Sequence, residues 1–287
     1  MTATPLMPAA FLGHGSPMNA LERNRYAEAW RAFGASVPRP RAILAVSAHW
    51  HVDGLAVTAM PRPRTIHDFY GFPQALFDVQ YQAPGLPALA EEVADLVAPD
   101  FVVGADHDAW GLDHGTWGVL VHAFPAADIP VVQLSLDARK PLDWHLRLGA
   151  KLSALRERGV LVLGSGNVVH NLRAIDWKQP DAGFDWTRRF DDDARVRMTS
   201  RPHEVAALAG HRDYRMAVPT DEHFLPLLYL AGMAAAANDT AEVLVDGYAM
   251  GSLSMTAYTL GARAIAEPAG AGAAPLATTL PPEASNA

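Results

Sequence analysis

The 287-residue chain contains no cysteine, and this absence excludes several kinds of site. Without a thiol the chain has no disulfide, no thiolate zinc site, no iron–sulfur cluster and no cysteine nucleophile. Long apolar runs are missing as well. The longest stretch, residues 224–237, is interrupted by Pro226 and falls short of the roughly 18 residues that a membrane span requires. We therefore interpret this stretch as a buried helix.

Basic side chains are outnumbered by acidic ones. Lys and Arg together number 23 against 31 Asp and Glu, which gives a net charge of −8. Such a chain has no positive field to hold a phosphate backbone, so we expect no nucleic-acid partner. The first residues lack the basic start and apolar stretch of a signal peptide. Together with the absence of cysteine, this predicts a soluble, cytoplasmic protein without membrane contact.

Short apolar segments alternate with helix-like segments along most of the chain. Segments that are apolar on both faces, typical of strands covered on two sides, lie at 9–13, 42–48, 55–60, 130–136 and 160–166. Helical spacing of apolar residues predicts helices over 23–33, 86–97, 116–123, 142–157, 185–198 and 221–233, followed by a last element over 252–258. The alternation predicts an α/β fold: a single domain with a central mixed, largely parallel sheet flanked by helices.

The composition changes close to the carboxyl end of the chain. From residue 263 onward the sequence is rich in Ala, Pro and Gly and has no periodicity. We therefore predict one domain over 1–262 and a disordered Ala/Pro-rich tail over 263–287. An acidic run at 191–193 lies among arginines, and we interpret it as a solvated helix face rather than a cation site.

Three of the twelve histidines follow predicted strands. His14 comes after the first strand, His49 after the second, and His170 after the Gly-Ser-Gly turn that ends the strand at 160–166. Ligands bind at the carboxyl edge of open α/β sheets. A single loop histidine is more often a hydrogen-bonding residue than a ligand, but three at equivalent positions favour metal binding or catalysis.

Two further histidines stand where a turn leads into a predicted helix. His223 follows Asp221 and Glu222, and His114 lies in the segment Gly-Leu-Asp-His-Gly. The others lack such a placement and are assigned to the surface or to packing, with His67 the one most worth testing: His51, His67, His107, His122, His145, His203 and His211.

A metal at this edge would take imidazole nitrogen and carboxylate oxygen, since no thiolate exists. These ligands suit Zn²⁺ and Fe²⁺ equally well, so ligand type leaves the metal open. Other motifs are not met. The Gly-Ser-Gly-Asn segment at 164–167 lacks the ending of a phosphate-binding loop, and Gly-His-Gly-Ser-Pro does not fit the nucleophile elbow of a hydrolase.

Several motifs together resemble one enzyme family. They are F-L-G-H-G-S-P-M-N, S-A-H-W, T-I-H-D-F-Y-G-F-P, W-G-L-D-H-G-T-W-G-V-L, G-S-G-N-V-V-H-N-L-R, E-H-F-L-P-L-L-Y and G-S-L-S-M. In this order they resemble the 4,5-DOPA extradiol dioxygenase-like branch of the class III (LigB-type) extradiol ring-cleaving dioxygenases. The resemblance extends from about Phe11 to Tyr258.

The resemblance implies a role for each of the five histidines. His14 and His49 match metal ligands, and His223 matches the position of the third ligand, where many relatives have Glu. His170 matches the general base and is also expected close enough to serve as a fourth metal ligand. His114 matches the second active-site histidine, which hydrogen-bonds substrate or oxygen and donates a proton.

The implied activity is ring cleavage of an ortho-diphenol, DOPA-like or related, with both atoms of O₂ inserted to give a muconic semialdehyde. One divalent metal per chain is expected, Fe(II) for activity with Zn(II) as the alternative bound metal. The partners would be a small aromatic diol and O₂, and the protein a monomer or small homo-oligomer. The alternative is a zinc-dependent hydrolase or a non-catalytic zinc-binding protein on the same fold.

Four aromatic residues close to these motifs have two equally weighted interpretations. They either wall the pocket for the substrate ring or belong to the core: Trp50, Phe69, Tyr70 and Trp117.

Overall fold

The apolar segments predicted as strands form the centre of an eight-stranded sheet. The computed structural model describes residues 6–262 and 270–276. Its strands, in chain order, are β1 (Ala9–Gly13), β2 (Ala42–Val52), β3 (Leu55–Thr58), β4 (Val103–Asp106), β5 (Val131–Asp137), β6 (Val160–Gly166), β7 (Glu242–Val245), β8 (Tyr248–Ala249), β9 (Leu253–Ser254) and β10 (Ala257–Leu260).

The strand order of the large sheet is β4-β3-β5-β2-β6-β1-β10-β7, and β8 pairs with β9 separately. The four central strands, β5, β2, β6 and β1, run parallel to one another. Towards the two edges, β3 pairs with β5 and β10 pairs with β1 in antiparallel fashion. The predicted fold class, a mixed and largely parallel sheet in an α/β domain, is confirmed.

Side chains of the central strands alternate between two apolar cores. On β2, Leu44 and Val46 belong to one core, whereas Ile43 and Ala45 belong to the other. The sheet is therefore buried on both faces, which explains why its strands are continuously apolar. The helices that cover it are α1 (Arg25–Ser36), α2 (Gln74–Phe77), α3 (Pro87–Val97), α4 (His114–Ala123), α5 (Leu142–Leu152), α6 (Ala154–Glu157), α7 (Asp185–Ser200), α8 (Tyr214–Ala217) and α9 (Leu225–Ala236).

The stretch interpreted as a buried helix is α9, and its side chains from Leu225 to Ala234 are buried. Its predicted start at residue 221 is wrong, because the helix begins at Leu225. Pro226 lies in the first turn, where proline costs no hydrogen bond and its fixed φ suits the helix. Within residues 6–262 and 270–276, no helix combines the length and apolar character of a membrane span.

Other boundaries differ for identifiable reasons. The predicted helix over 142–157 is divided into α5 and α6 at Ser153. The strand predicted over 42–48 continues to Val52, with a shift in register against β5 between Val46 and His51. His49 therefore lies within an irregular part of β2 rather than beyond its end. Such irregularities re-aim side chains close to functional sites.

Elements without an apolar pattern escaped prediction. The edge strands β4 and β7 are four residues long and partly exposed, so they lack the longer, fully buried apolar run of the central strands. The 3₁₀ segments were also missed, and they span Pro17–Ala20, Leu172–Ala174 and Pro202–Gly210.

The acidic run in α7 contains one residue that is not solvated. Asp191 is buried and accepts hydrogen bonds from Ser254 Oγ at 2.6 Å and Thr256 Oγ1 at 2.9 Å. The interpretation of the whole run as a solvated face is therefore wrong for this position. It fits Asp192 and Asp193, which form ion pairs with Arg195 and Arg197 at the surface.

Part of the segment predicted as a disordered tail is described. Residues 270–276 lie against the loop after β1, where Ala274 is buried and its backbone N–H donates to Asn19 Oδ1 at 2.8 Å. Residues 263–269 and 277–287 lie outside the described residues. The boundary between domain 1–262 and tail 263–287 stays a prediction.

Replacing Asp191 with Asn should change the pH dependence of stability. Burial raises the pKa of Asp191 to about 6 in the folded protein, against the hydrogen bonds from Ser254 and Thr256. The folded state therefore binds this proton more tightly than the unfolded chain, and parental stability falls as pH rises from about 4 to about 6. We expect the free energy of unfolding of D191N to rise relative to that of the parent by on the order of 2 kcal/mol between pH 4 and pH 6.

Urea unfolding at pH 4.5 and pH 7 measures this difference. The exposed Asp53, which is not among the groups that act on Asp191, supplies the control D53N, whose difference in stability from the parent should stay close to constant between the two pH values. A D191N difference that also stays constant with pH would contradict the buried-carboxylate explanation.

Candidate metal centre

Five histidines converge at one edge of the large sheet. Strands β2, β6 and β1 are adjacent and parallel, so their carboxyl ends meet at this edge. His14 directly follows β1, His49 lies near the end of β2, and His170 comes four residues after β6. His114 is the first residue of α4, and His223 lies two residues before α9. We call these five residues the site histidines.

The imidazole rings are in close contact. The ring centre of His14 lies 5.1 Å from that of His49 and 5.3 Å from that of His223, and the His49 and His223 centres are 5.1 Å apart. His114 approaches His49 to 3.9 Å. His170 stacks on His223 at 3.5 Å with nearly parallel planes. The structure therefore brings together all five residues that the sequence singled out.

Glycines allow this close approach. A Cβ atom at Gly115 would lie 2.8 Å from Cδ2 of the His49 ring, and one at Gly166 would collide with the carbonyl oxygen of His223. The following residue, Asn167, donates its backbone N–H to the same His223 carbonyl at 2.9 Å. The turn after β6 thus fixes the position of the segment that carries His223.

The groups next to Nδ1 determine the tautomers of His14 and His49. His14 Nδ1 lies 3.0 Å from Ser165 Oγ, and that hydroxyl donates its own hydrogen to the carbonyl of Gly115. His49 Nδ1 lies 3.2 Å from Asp68 Oδ2, which as a carboxylate only accepts. Both Nδ1 atoms therefore carry the hydrogen, which leaves a lone pair on each Nε2.

The two unprotonated nitrogens face each other. His14 Nε2 and His49 Nε2 are 3.2 Å apart, and burial lowers the pKa of both imidazoles well below the ordinary value. His223 is oriented in the same manner, because its Nδ1 lies 3.1 Å from Glu222 Oε1. Facing lone pairs in a buried space repel unless a cation lies between them. Histidines held through Nδ1 by a carboxylate are also the usual ligand arrangement of metal sites, so these residues fit a divalent metal.

The donor atoms form three sets of three, of which two share Glu222. His14, His49 and His114 each offer a nitrogen within 4.8 Å of the other two, and His170, Glu222 and His223 form a second such set. A third set joins Glu222 to His51 and Asp221, although the sequence suggested no site role for His51. The structure thus contains a candidate three-histidine metal site. The assignment of His14, His49, His223 and His170 as ligands, of His170 as the base and of His114 as the proton donor stays a prediction.

His114 differs from the other site histidines in its charge. Its Nδ1 lies 3.0 Å from Asp68 Oδ2, and its backbone N–H donates to Asp68 Oδ1 at 3.0 Å. Burial alone would lower the pKa of His114, but the negative charges of Asp68 and Asp113 outweigh it and raise the pKa above its ordinary value. The same attraction lowers the pKa of Asp68 despite its burial. His114 is therefore the site histidine best suited to hold a proton.

Asp68 was missed as a functional residue. It is nine-tenths buried and its Oδ2 atom lies within 3.2 Å of both His49 Nδ1 and His114 Nδ1. The sequence feature that could identify Asp68 is its place in the motif T-I-H-D-F, directly after His67. His67 itself has a packing role, since its Nε2 lies 2.9 Å from the carbonyl of Val79 and its ring packs against Trp117.

The four aromatic residues have different surroundings. Phe69 lines the pocket of the site histidines. Trp117 is fully buried behind it, with ring centres 6.1 Å apart. Trp50 stacks on Trp110 at 5.7 Å, and Tyr70 is 55% exposed. Phe69 is therefore the member of this set that fits the ring-pocket interpretation.

The fold and the site together define an α/β protein with a nitrogen-rich candidate metal centre at the carboxyl edge of its sheet. The chain belongs to the LigB family, because the family model described as catalytic LigB subunit of aromatic ring-opening dioxygenase matches residues 8–261. This membership confirms the family expected from the motifs. It makes the protein an oxidoreductase of the extradiol aromatic ring-opening dioxygenase class, a class that depends on a metal.

Individual relatives agree with the family. The chain is 49% identical over 259 residues to an Escherichia coli (strain K12) protein named 4,5-DOPA dioxygenase extradiol, covering 89% of this chain and 95% of that protein. It is 35% identical over 255 residues to a Beta vulgaris protein of the same name, covering 86% and 94%. A crystal structure of an uncharacterized Escherichia coli K12 protein superposes with a TM-score of 0.78 at 43% identity, covering 89% of this chain and all of that one.

Replacing Asp68 with Asn should weaken metal binding without altering side-chain volume. The amide removes the negative charge that holds His49 and His114 by their Nδ1 atoms. Loss of such a supporting group reduces metal affinity by roughly 10- to 100-fold. Competition for Zn²⁺ against a chromophoric chelator measures this affinity.

Asp53→Asn is the matched control, since Asp53 is exposed and its replacement should leave the affinity unchanged. If D68N bound Zn²⁺ as tightly as D53N, Asp68 would not be orienting the site histidines.

Proposed function

We propose that the protein is a metal-dependent extradiol dioxygenase that cleaves an ortho-diphenol, DOPA-like or related, to a muconic semialdehyde. Both atoms of O₂ enter the product, so the reaction needs no further reductant. The name 4,5-DOPA dioxygenase extradiol, carried by relatives at 49% and 35% identity, supports a catechol as the substrate class. Fe(II) is the proposed active metal, because Zn²⁺ has no redox chemistry.

The observation that carries the proposal is the arrangement of imidazoles and carboxylate around one pocket. His14 and His49 present facing Nε2 atoms at 3.2 Å, while His114 beside them lies 3.0 Å from Asp68, whose charge raises its pKa despite burial. The site thus offers metal-binding nitrogens and a proton donor at once. Ring cleavage of a diphenol on a metal requires both.

His14, His49 and His223 are the residues proposed to hold the metal. Each turns its Nε2 towards the pocket because its Nδ1 is engaged by Ser165, Asp68 or Glu222 respectively. A ferrous ion bound there would supply coordination positions for the diphenol and O₂ and the redox chemistry that joins them.

Two histidines are proposed to move protons. Burial lowers the pKa of His170 well below its ordinary value, so at neutral pH a ring nitrogen is free to accept a phenolic proton. His114 has Nδ1 at 3.0 Å from the Asp68 carboxylate and is proposed to offer a proton from Nε2 to the substrate oxygens. Phe69 lines the same pocket and supplies an apolar surface for the aromatic ring.

A zinc-dependent hydrolase would need a carboxylate to activate water. Glu222, the acidic member of the second donor set, accepts a hydrogen bond from His223 Nδ1, and this bond lowers its pKa despite burial. A carboxylate engaged in orienting a proposed metal ligand is poorly placed to activate water, which favours the dioxygenase over the hydrolase. A small aromatic diol and O₂ are the proposed partners. Cytoplasmic location and a monomeric or small homo-oligomeric state stay predictions.

Oxygen consumption tests the reaction directly. Apoprotein reconstituted with Fe(II) without oxygen, then mixed with a panel of catechols including DOPA, should consume one O₂ per diphenol and form a yellow semialdehyde. Zn²⁺-loaded protein is the matched control and should consume none. Absence of oxygen uptake across the panel, with hydrolytic turnover by the zinc form, would replace the proposal with the hydrolase.

Alanine variants separate metal binding from proton transfer. We expect His14→Ala and His49→Ala to lose bound metal, because each removes a facing Nε2. His114→Ala should keep its metal and lose activity by about 10²- to 10⁴-fold, the usual contribution of a positioned acid. Metal content and turnover are measured on the same preparations.

The exposed His203 provides the control variant His203→Ala, which should retain both metal and activity. Loss of metal from His114→Ala would make His114 a ligand instead of a proton donor. Loss of metal from His170→Ala would make His170 a ligand first and a base second.

A further inference from the structure

A segment of extended chain lies beside the site histidines although it is distant from them in sequence. Residues 270–276, which we call the strap, have no regular secondary structure and follow the residues matched by the family model, 8–261. Arg25 donates its backbone N–H to the carbonyl of Ala271 at 3.1 Å, and Ala274 is 1% exposed. The strap is therefore docked on the protein in an extended form.

The strap is connected to a site histidine through one buried side chain. Asn19 Oδ1 accepts the backbone N–H of Ala274 at 2.8 Å, and Asn19 Nδ2 donates to the carbonyl of His14 at 2.9 Å. One residue further on, Ser16 Oγ donates to the carbonyl of Pro275 at 2.8 Å. These bonds hold the end of the strap next to the loop that carries His14.

Leu276, the last described residue of the strap, reaches the pocket. It lines the same cavity as the five site histidines. The other large apolar side chains in the wall of this cavity are Phe69, Leu172 and Leu253. Phe69 is 1% exposed, Leu172 lies in a 3₁₀ turn and Leu253 in β9. Leu276 is half-buried and lies in irregular chain, so it is the apolar wall residue that can move at least cost.

The cavity is too small for an aromatic ring with the strap in place. Its volume is about 20 Å³, and a single water molecule already needs roughly 10–15 Å³ by the same measure. A diphenol therefore reaches the histidine nitrogens only if part of the wall moves. The packing of the other wall residues leaves Leu276 and the strap as the part that moves.

We propose that the strap is a specificity-determining element of the substrate pocket, and that Leu276 limits the size of the ring substituent on the ortho-diphenols that bind. This inference rests on the proposed function for its ligand class. An ortho-diphenol enters by displacing Leu276 outward, and a bulky substituent on the ring then occupies the space next to the strap. The strap follows the family-matched residues 8–261, so the proposed selection is separate from the histidines that hold the metal.

Diphenol binding to the zinc-loaded full chain tests the proposal without turnover, since Zn²⁺ does not support oxygen chemistry. Titration calorimetry measures the Kd of catechol and of 4-tert-butylcatechol, and their ratio reports how the pocket treats the substituent. In Leu276→Ala, the ratio of the Kd of 4-tert-butylcatechol to the Kd of catechol should fall about tenfold relative to the parent. In Leu276→Trp, this ratio should rise by a similar factor, because pocket volume discriminates between apolar groups.

Leu21→Ala is the matched control, because Leu21 is an exposed leucine (40%) outside the pocket wall. Its ratio of Kd values should equal that of the parent. Ratios in L276A and L276W that also equal the parental ratio would overturn the strap as a specificity element, while leaving the proposed dioxygenase intact.

A second measurement keeps the two proposals distinguishable. The rate at which EDTA removes zinc from the loaded protein should rise severalfold in L276A and fall in L276W, because the strap covers the way to the histidine nitrogens. If the parent bound no diphenol but these rates still changed, the proposed function would fail and the covering role of the strap would stand. Unchanged rates in both variants would overturn that covering role.

Discussion

The approach of His14 Nε2 to His49 Nε2 at 3.2 Å is the interaction on which the rest of the site depends. Two lone pairs at this distance repel each other, and burial removes the water that would otherwise screen them. The two rings are held in place at their Nδ1 atoms, where Ser165 lies next to His14 and Asp68 lies next to His49. The rigid parallel strands β1, β6 and β2 supply the support, and a divalent cation is the partner that the arrangement suits.

One carboxylate divides the site histidines into two chemical kinds. Burial lowers the pKa of His14 and His49 well below the ordinary value, whereas the charge of Asp68 raises the pKa of His114 despite its burial a few ångströms away. The pKa of a neighbouring acid changes as well, because burial together with the negative charge of Asp68 raises the pKa of Asp113 to about 6. Residues of one type thus differ in proton affinity within a single site, because the surrounding charges differ.

Much of this protein could be predicted from local pattern. Strands buried on both faces must be continuously apolar, so the central sheet was recognisable, and histidines next to their ends could be expected at one edge. Pattern failed where tertiary contacts overrule it. His49 lies inside a strand because β2 continues past an irregularity in its pairing with β5. Asp191 is buried among arginine-paired neighbours because two hydroxyls from β9 and the loop before β10 reach it.

The sequence by itself determined the fold class, the family and the five site histidines, because apolar periodicity and short motifs are local properties of the chain. The tertiary structure alone decided which nitrogen of each ring faces the pocket, how burial and charge shift each imidazole's pKa, and which residues line the pocket. Those properties depend on atoms far apart in sequence: Asp68 against His114, or Leu276 against His14. Burial and charge act over a few ångströms of space, and only folding brings those atoms within that range.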